Sequence, residues 1–214
     1  MALNAKLPVV TVGGEAYAER AANIISEAFA HDALNRAMII TSYSLSNEVG
    51  VSVERRTYHF LSSIRRKVRD GGLLVEAGNW AAVALWIPPC VQTPVLERSI
   101  LSPLVKEYLD KFSDARKRHL KDQEFWFLDL LGRHPERREP GVIRALLEPY
   151  MQRAREAGLP SWLEANTEHA RDIYIHFGFR VVEEIAIGEG CVDKFGNLLR
   201  GGEGIIIYAM VAEP

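Results

Sequence analysis

Residues 125–179 constrain the fold of this chain more than any other stretch, because they read as strand, basic turn, helix, strand and helix in immediate succession. The run Trp126-Phe127-Leu128-Asp129-Leu130-Leu131 is almost wholly apolar, as a strand buried on both faces should be. A turn carrying Arg133, Arg137 and Arg138 follows and ends in Pro140-Gly141. Val142, Ile143, Leu146, Leu147, Tyr150 and Ala154 then recur at helical spacing. Pro140 is expected at the first helical position, where its missing N–H has no partner to lose. Pro149 predicts a bend inside this helix, and Gly158 and Pro160 predict its stop. Trp162-Leu163-Glu164-Ala165-Asn166 reads as the next strand. The last helix starts with Asn166 or Thr167 as its cap and Glu168 in its first turn. It carries Ala170, Ile173, Tyr174 and Phe177, and Gly178 closes it.

Two features of this unit point to chemistry. The free N–H groups and positive end of a helix fed by three arginines make an anion site, which points to a phosphate-bearing ligand. Asp129 and Glu164 are carboxylates set among apolar neighbours. A buried carboxylate without compensation is costly, so Asp129 is expected to be paired, protonated or turned towards a wet cavity. The last arrangement would make it a general base; the first two would make it structural.

The rest of the chain fits around this unit. A strand is expected over 9–12, and Ala18, Ala21, Ile24, Ile25, Ala28 and Phe29 predict a helix after it. A second short helix is expected over 33–40 and a loop over 42–47. Over 53–69, Tyr58, Leu61, Ile64 and Val68 form an apolar stripe surrounded by Arg55, Arg56, Arg65, Arg66, Lys67 and Arg69. Without an aromatic platform this charge reads as a solvated helix face and not as a nucleic-acid surface. Asp70-Gly71-Gly72 opens a hairpin with strands over 73–77 and 81–87. Ser102 is expected to cap a helix over 102–121 with Pro103 first. Residues 89–101 read as a mobile loop near a substrate. Strands over 181–187 and 204–211 bracket a turn-rich insert and predict a long hairpin. With no repeat, low-complexity run or linker, one domain over 1–214 is expected, divided into a variable half to about residue 122 and a core after it.

Composition narrows the class further. With 48% apolar and 25% charged residues, the 214-residue chain has the make-up of a globular protein. A net charge of −2 gives no general attraction to nucleic acid or to an anionic membrane. No apolar run approaches the roughly 18 residues that span a bilayer, and residues 1–6 lack a signal-peptide pattern. Cys90 and Cys191 stand far apart in no metal-ligand spacing. They fit free thiols in a reducing compartment, with a disulfide between them as the alternative. The expectation is a cytoplasmic protein, monomeric or homodimeric, without metal, nucleic acid or membrane.

The spaced set Asn166-x-x-x-Ala170-x-x-x-Tyr174-x-x-x-Gly178-Phe179, together with the order of elements, resembles the GCN5-related N-acetyltransferase (GNAT) superfamily. The likeness is good over 125–211 and rests on element order alone before that. In the family this pattern puts an asparagine and a tyrosine beside the thioester. Leu146-Leu147-Glu148-Pro149, Gly158-Leu159-Pro160 and Leu163-Glu164-Ala165 are similar to small fungal or bacterial members. The family's phosphate loop, Gln/Arg-x-x-Gly-x-Gly/Ala, is matched at Arg138 and Gly141 and broken at Ile143. A small residue at that third position lets backbone reach the pyrophosphate. Pro140 also removes an N–H from the loop, and Arg133 stands where the family has an apolar residue. The phosphate loop is degenerate.

The resemblance implies an α/β (α+β) GNAT fold, with a central, mixed, mostly antiparallel twisted sheet of six to seven strands flanked by helices. It implies acetyl-CoA as the cofactor, held by Leu131, Arg133, Arg138, Gly141, Val142, Ile143, Arg144, Asn166 and Phe177. The implied reaction is direct transfer of the acetyl group to the amine of a small molecule, with Trp126 lining the acceptor side. Asp129 or Glu164 would take a proton from the amine, and Tyr174 would give one to the departing thiolate. Backbone N–H groups over 131–133 would face the developing oxyanion. The departures at Ile143, Pro140 and Arg133 leave two alternatives: a GNAT-fold binding or accessory protein with impaired acetyl-CoA use, or one repurposed for other chemistry in the same cleft.

Overall fold

The computed structural model describes residues 7–91 and 97–214. The centre of the expected 89–101 loop and the segment 1–6 lie outside the described residues. Seven strands join in one sheet: β1 (Val10–Gly13), β2 (Leu73–Ala77), β3 (Ala82–Ile87), β4 (Trp126–Arg133), β5 (Ser161–Ala165), β6 (Arg180–Ile187) and β7 (Ile205–Ala212). Their order is β1-β2-β3-β4-β5-β7-β6. Neighbours are antiparallel except β4 and β5, which run parallel. The sheet is therefore mixed and mostly antiparallel, as expected.

Among the described residues six α-helices flank it: α1 (Ala18–Ala28), α2 (Ala33–Ser42), α3 (Val53–Arg69), α4 (Pro103–Leu120), α5 (Val142–Glu156) and α6 (Glu168–His176). Four of them start where a side-chain oxygen takes up an otherwise unpaired N–H. Asp32, Ser52, Ser102 and Thr167 accept from the backbone N–H of Asn35, Arg55, Val105 and Ala170. Each such cap is worth about 1 kcal/mol. Among the described residues no helix is long and apolar enough to cross a membrane, no group of three or more His, Cys, Asp or Glu is placed to hold a metal, and Cys90 and Cys191 are free and exposed.

Helix α5 covers one face. Val142, Leu146, Leu147 and Tyr150 pack there on Val75, Trp86, Leu128, Leu163 and Met210. Burying a leucine of this kind stabilises by about 1.5–3 kcal/mol. On the opposite face α1 and α3 cover β3 and β4 through Ile25, Phe60, Ile64 and Leu85. Helices α2 and α4 cover β5, β6 and β7 there through Leu34, Phe112, Trp162 and Ile207.

Several expectations are corrected. Strand β4 continues to Arg133, so that residue belongs to the strand and not to the turn. The strand is half-buried over most of its length, because its edge towards β5 is bare beyond Leu128. Helix α5 begins at Val142 with Gly141 as its N-cap at φ 79°, which leaves Pro140 outside the helix. Pro149 lies inside the helix, where a bend is expected, and the Trp86 indole N–H donates to the Leu146 carbonyl at 3.0 Å on the preceding turn. The buried side of α3 runs through Arg56, Phe60 and Ile64, while Tyr58 is 60% exposed. Tyr58 lies two residues from Phe60 and therefore on the other side of the helix.

Candidate active site

The local event that creates a site is the end of the β4–β5 ladder. The two strands pair at Trp126–Ser161, Phe127–Trp162 and Leu128–Leu163 and at no later position. Beyond that point β4 continues with β3 on its other side, and β5 continues with β7. The facing edges of the two strands thus offer backbone groups with no ladder partner between them, and backbone polar groups need partners. An extended chain of amide character can supply them.

A bulge in β4 arms this opening. Leu85 pairs with Leu130 and Trp86 with Leu128, so Asp129 is the extra residue. A bulge of this kind re-aims a side chain and is frequent beside active sites. Leu130 packs in the α1–α3 core, and the Asp129 carboxylate reaches the same side, where Oδ1 accepts from Lys67 Nζ on α3. Oδ2 is buried and has no hydrogen-bond partner among the described residues.

Glu164 on β5 presents the contrasting case. Its side chain is 4% exposed and both of its oxygens are occupied. Oε1 accepts from Arg116 and from the Trp162 indole N–H at 3.0 Å, and Oε2 accepts from the Tyr108 hydroxyl. Burial, and then the neighbouring Glu164 charge, push the Tyr108 phenol well above its ordinary range, so it stays a donor. The Arg116 guanidinium also lies 5.8 Å from the centroid of the Phe127 ring. The two carboxylates share one face of the sheet; Glu164 has both oxygens hydrogen-bonded, and Asp129 has one of its two hydrogen-bonded among the described residues.

Helix α6 carries Tyr174, which packs against the α5-side core and whose ring meets Phe179 edge-on at 5.9 Å. Desolvation raises its phenol above the ordinary value, so the group holds its proton at neutral pH. Asn166 donates to Asp32 Oδ2 at 3.1 Å and ties the start of α6 to the cap of α2. Burial pushes the Asp32 carboxyl up, against its bonds to Asn35 and Asn166.

The turn after β4 is largely engaged with itself. Arg137 binds the Glu139 carboxylate and the carbonyls of Gly78 and Asn79 at 3.0 and 3.2 Å. Arg138 turns back onto the Pro135 and Arg137 carbonyls. Arg133 donates to the Glu139 carbonyl at 3.1 Å, while its Nε is buried without an acceptor among the described residues. The Arg137 side chain holds the Glu139 carboxyl below its usual range. Gly141 supplies no side-chain cap, so the first N–H groups of α5 point out of the helix end. Leu7 and Pro8 run past that end: a Cβ on Gly141 would meet Pro8 at 3.4 Å and Leu7 at 3.7 Å.

The structure brings Asp129, Glu164 and Asn166 to the region where β4 and β5 part, sets Tyr174 against the α5-side core, and brings Arg133, Arg138 and Gly141 to the turn that follows β4. Leu131 and Ile143 are half-buried against the α5-side core, and Val142 lies wholly within it. Arg144 pairs with Glu148 and stacks at 5.5 Å over Phe177, linking α5 to α6. Trp126 packs against Trp86 and Tyr150 on the α5 face, at 6.4 and 5.9 Å, away from both carboxylates. The sequence reading missed Lys67, Tyr108 and Arg116. Their signal is positional, since Lys67 follows Ile64 by three residues and Tyr108 and Arg116 flank Phe112 by four, which puts each beside a buried helix face.

Known proteins share this architecture. No family model matches the chain. The uncharacterized protein YDR391C of Saccharomyces cerevisiae is 32% identical over 143 residues, which are 65% of this chain and 60% of that protein. The uncharacterized N-acetyltransferase C550.08 of Schizosaccharomyces pombe is 27% identical over 160 residues, 67% of this chain and 60% of that protein. The chain thus spans about 60% of the length of these curated relatives. A polyamine N-acetyltransferase of Drosophila melanogaster, which forms N-acetylagmatine, superposes with a TM-score of 0.65 at 13% identity, covering 96% of this chain and 99% of that one. The seven-stranded sheet, its single parallel pair and these likenesses agree: the chain has the fold of the GCN5-related N-acetyltransferases.

Proposed function

We propose that the chain is an acetyl-CoA-dependent N-acetyltransferase that acts on the amine of a small molecule. One observation carries the reading: β4 and β5 part directly beside a buried carboxylate with one oxygen unpartnered among the described residues. The bare strand edges suit the amide-rich pantetheine arm. The uncapped end of α5 and the acceptorless Arg133 Nε suit its phosphates. Ile143, the sharpest departure from the family loop, packs against the α5-side core, which lessens its obstruction of the helix end.

Acetyl-CoA supplies an acyl group activated as a thioester. Asp129 is the base in this reading, because its Oδ2 has no partner among the described residues whereas both Glu164 oxygens are hydrogen-bonded. Backbone N–H groups over 131–133 polarise the carbonyl. The Tyr174 hydroxyl gives its proton to the departing sulfur. Glu164 holds α4 against β5.

A second reading has specific support. Arg137 and Arg138 spend their donors inside the turn, and Leu7 and Pro8 lie against Gly141. Both favour a GNAT-fold protein with impaired acetyl-CoA use. Release of free thiol from acetyl-CoA with agmatine as acceptor tests the leading reading. Asp129→Asn is expected to lower kcat by about 10²–10⁴. Glu164→Gln should instead lower stability by about 1–3 kcal/mol, because it leaves the half-buried Arg116 and the Tyr108 hydroxyl without their anion. An Asp129→Asn variant as active as the parent would remove Asp129 from the chemistry.

A further inference from the structure

We infer that Lys67 is a positioning residue for the transfer: it holds Asp129 by one carboxylate oxygen and leaves the other to take the proton of the acceptor amine. The inference rests on the acetyltransferase reading above. Lys67 and Asp129 are joined across 62 residues of sequence, and their side chains are 18% and 9% exposed. The bulge points the carboxylate towards α3, and Lys67 occupies Oδ1 alone. Oδ2 is buried and unpartnered among the described residues. An ammonium is a compact point charge that can sit on one oxygen, whereas a guanidinium fork matches both. A carboxylate fixed by one oxygen has one direction left for a substrate.

The other charged and titratable groups around Asp129 do not take over this role. On α3, His59 is held below its ordinary value by burial and then by the Lys67 charge, so it is neutral at neutral pH. On α4, Tyr108 stays protonated and Arg116 is matched by Glu164 of β5. Lys67 is the cation in direct contact with Asp129. In the step itself a proton leaves the acceptor nitrogen for Asp129 Oδ2. The nitrogen lone pair forms the new C–N bond while the C–S bond breaks, and Tyr174 protonates the sulfur. Lys67 transfers nothing.

The test is the pH profile of kcat/KM for thiol release from acetyl-CoA, with agmatine as acceptor, in the parent chain, Lys67→Met and Lys67→Arg. A base works only when ionised, and removing an adjacent cation favours its protonated form. Lys67→Met should therefore move the acid limb to higher pH and lower kcat at neutral pH by about tenfold or more. Lys67→Arg keeps the charge and should leave the limb in place. Acetyl-CoA affinity by calorimetry should match the parent in both variants, which separates positioning from loss of fold. An acid limb unmoved in Lys67→Met, or moved equally in Lys67→Arg, overturns the inference while leaving the acetyltransferase reading intact. A parent chain that transfers no acetyl group overturns that reading and this inference with it.

Discussion

Two carboxylates that look alike in the sequence end in opposite situations. Both Asp129 and Glu164 interrupt apolar strands, and their burial was legible from that alone. Their partners were not, because Lys67 and Arg116 lie 62 and 48 residues away in sequence. The pairing depends on which helix lands over which strand. Tyr174 was easier to find, since a fixed four-residue spacing from Asn166 to Gly178 carries it. Its surroundings sharpen the expectation for its role. Desolvation keeps the phenol protonated, and its hydroxyl makes no hydrogen bond to the described residues. Removing the hydroxyl should therefore cost little fold stability. Tyr174→Phe is expected to keep the affinity for acetyl-CoA and to lower turnover by about 10²–10⁴. Calorimetry and steady-state kinetics on one preparation check both halves, and unchanged turnover would take Tyr174 out of the mechanism.

At the scale of elements, helix starts were among the legible features, because Ser102 and Thr167 read as caps ahead of apolar periodicity. The exception is α5. Proline before glycine looked like a first helical turn, but Gly141 takes a positive φ that sets the helix start two residues later, at Val142. The bulge at Asp129 left no local signal either, because an extra residue in a ladder is defined by the partner strand. The next residues of β4 show how closely this strand is held from the side. Gly132 is buried under α1, where an added Cβ would come within 2.7 Å of Ile25 and 3.2 Å of Ala28. Gly132→Ala is expected to destabilise the fold by about 1–3 kcal/mol through overpacking, read as a lower urea midpoint. Because β4 carries the reacting edge, the same variant should lose turnover as well; an unchanged midpoint would show that α1 has room to move.

For the whole molecule, the sheet order and its parallel pair place an opening in the middle of the sheet, with helices on both faces and charged groups on one of them. The later part of the chain supplies the opening and the turn above it, which is why the likeness to the family was legible there. The earlier part supplies Lys67, Tyr108 and Arg116 through packing, which has no short motif. The insert over 188–204 is anchored to α2: Arg36 donates to Asn197 at 3.1 Å, and Gly196 lies where a Cβ would meet the Ala33 carbonyl at 2.2 Å. The central claim is that the parted strands and the uncapped end of α5 together accept acetyl-CoA. Calorimetric titration of acetyl-CoA into the whole chain measures this directly. Saturable binding is expected, and Gly141→Trp and Arg138→Glu should abolish it while the protein remains folded. A folded parent chain that shows no binding at millimolar acetyl-CoA would contradict the claim.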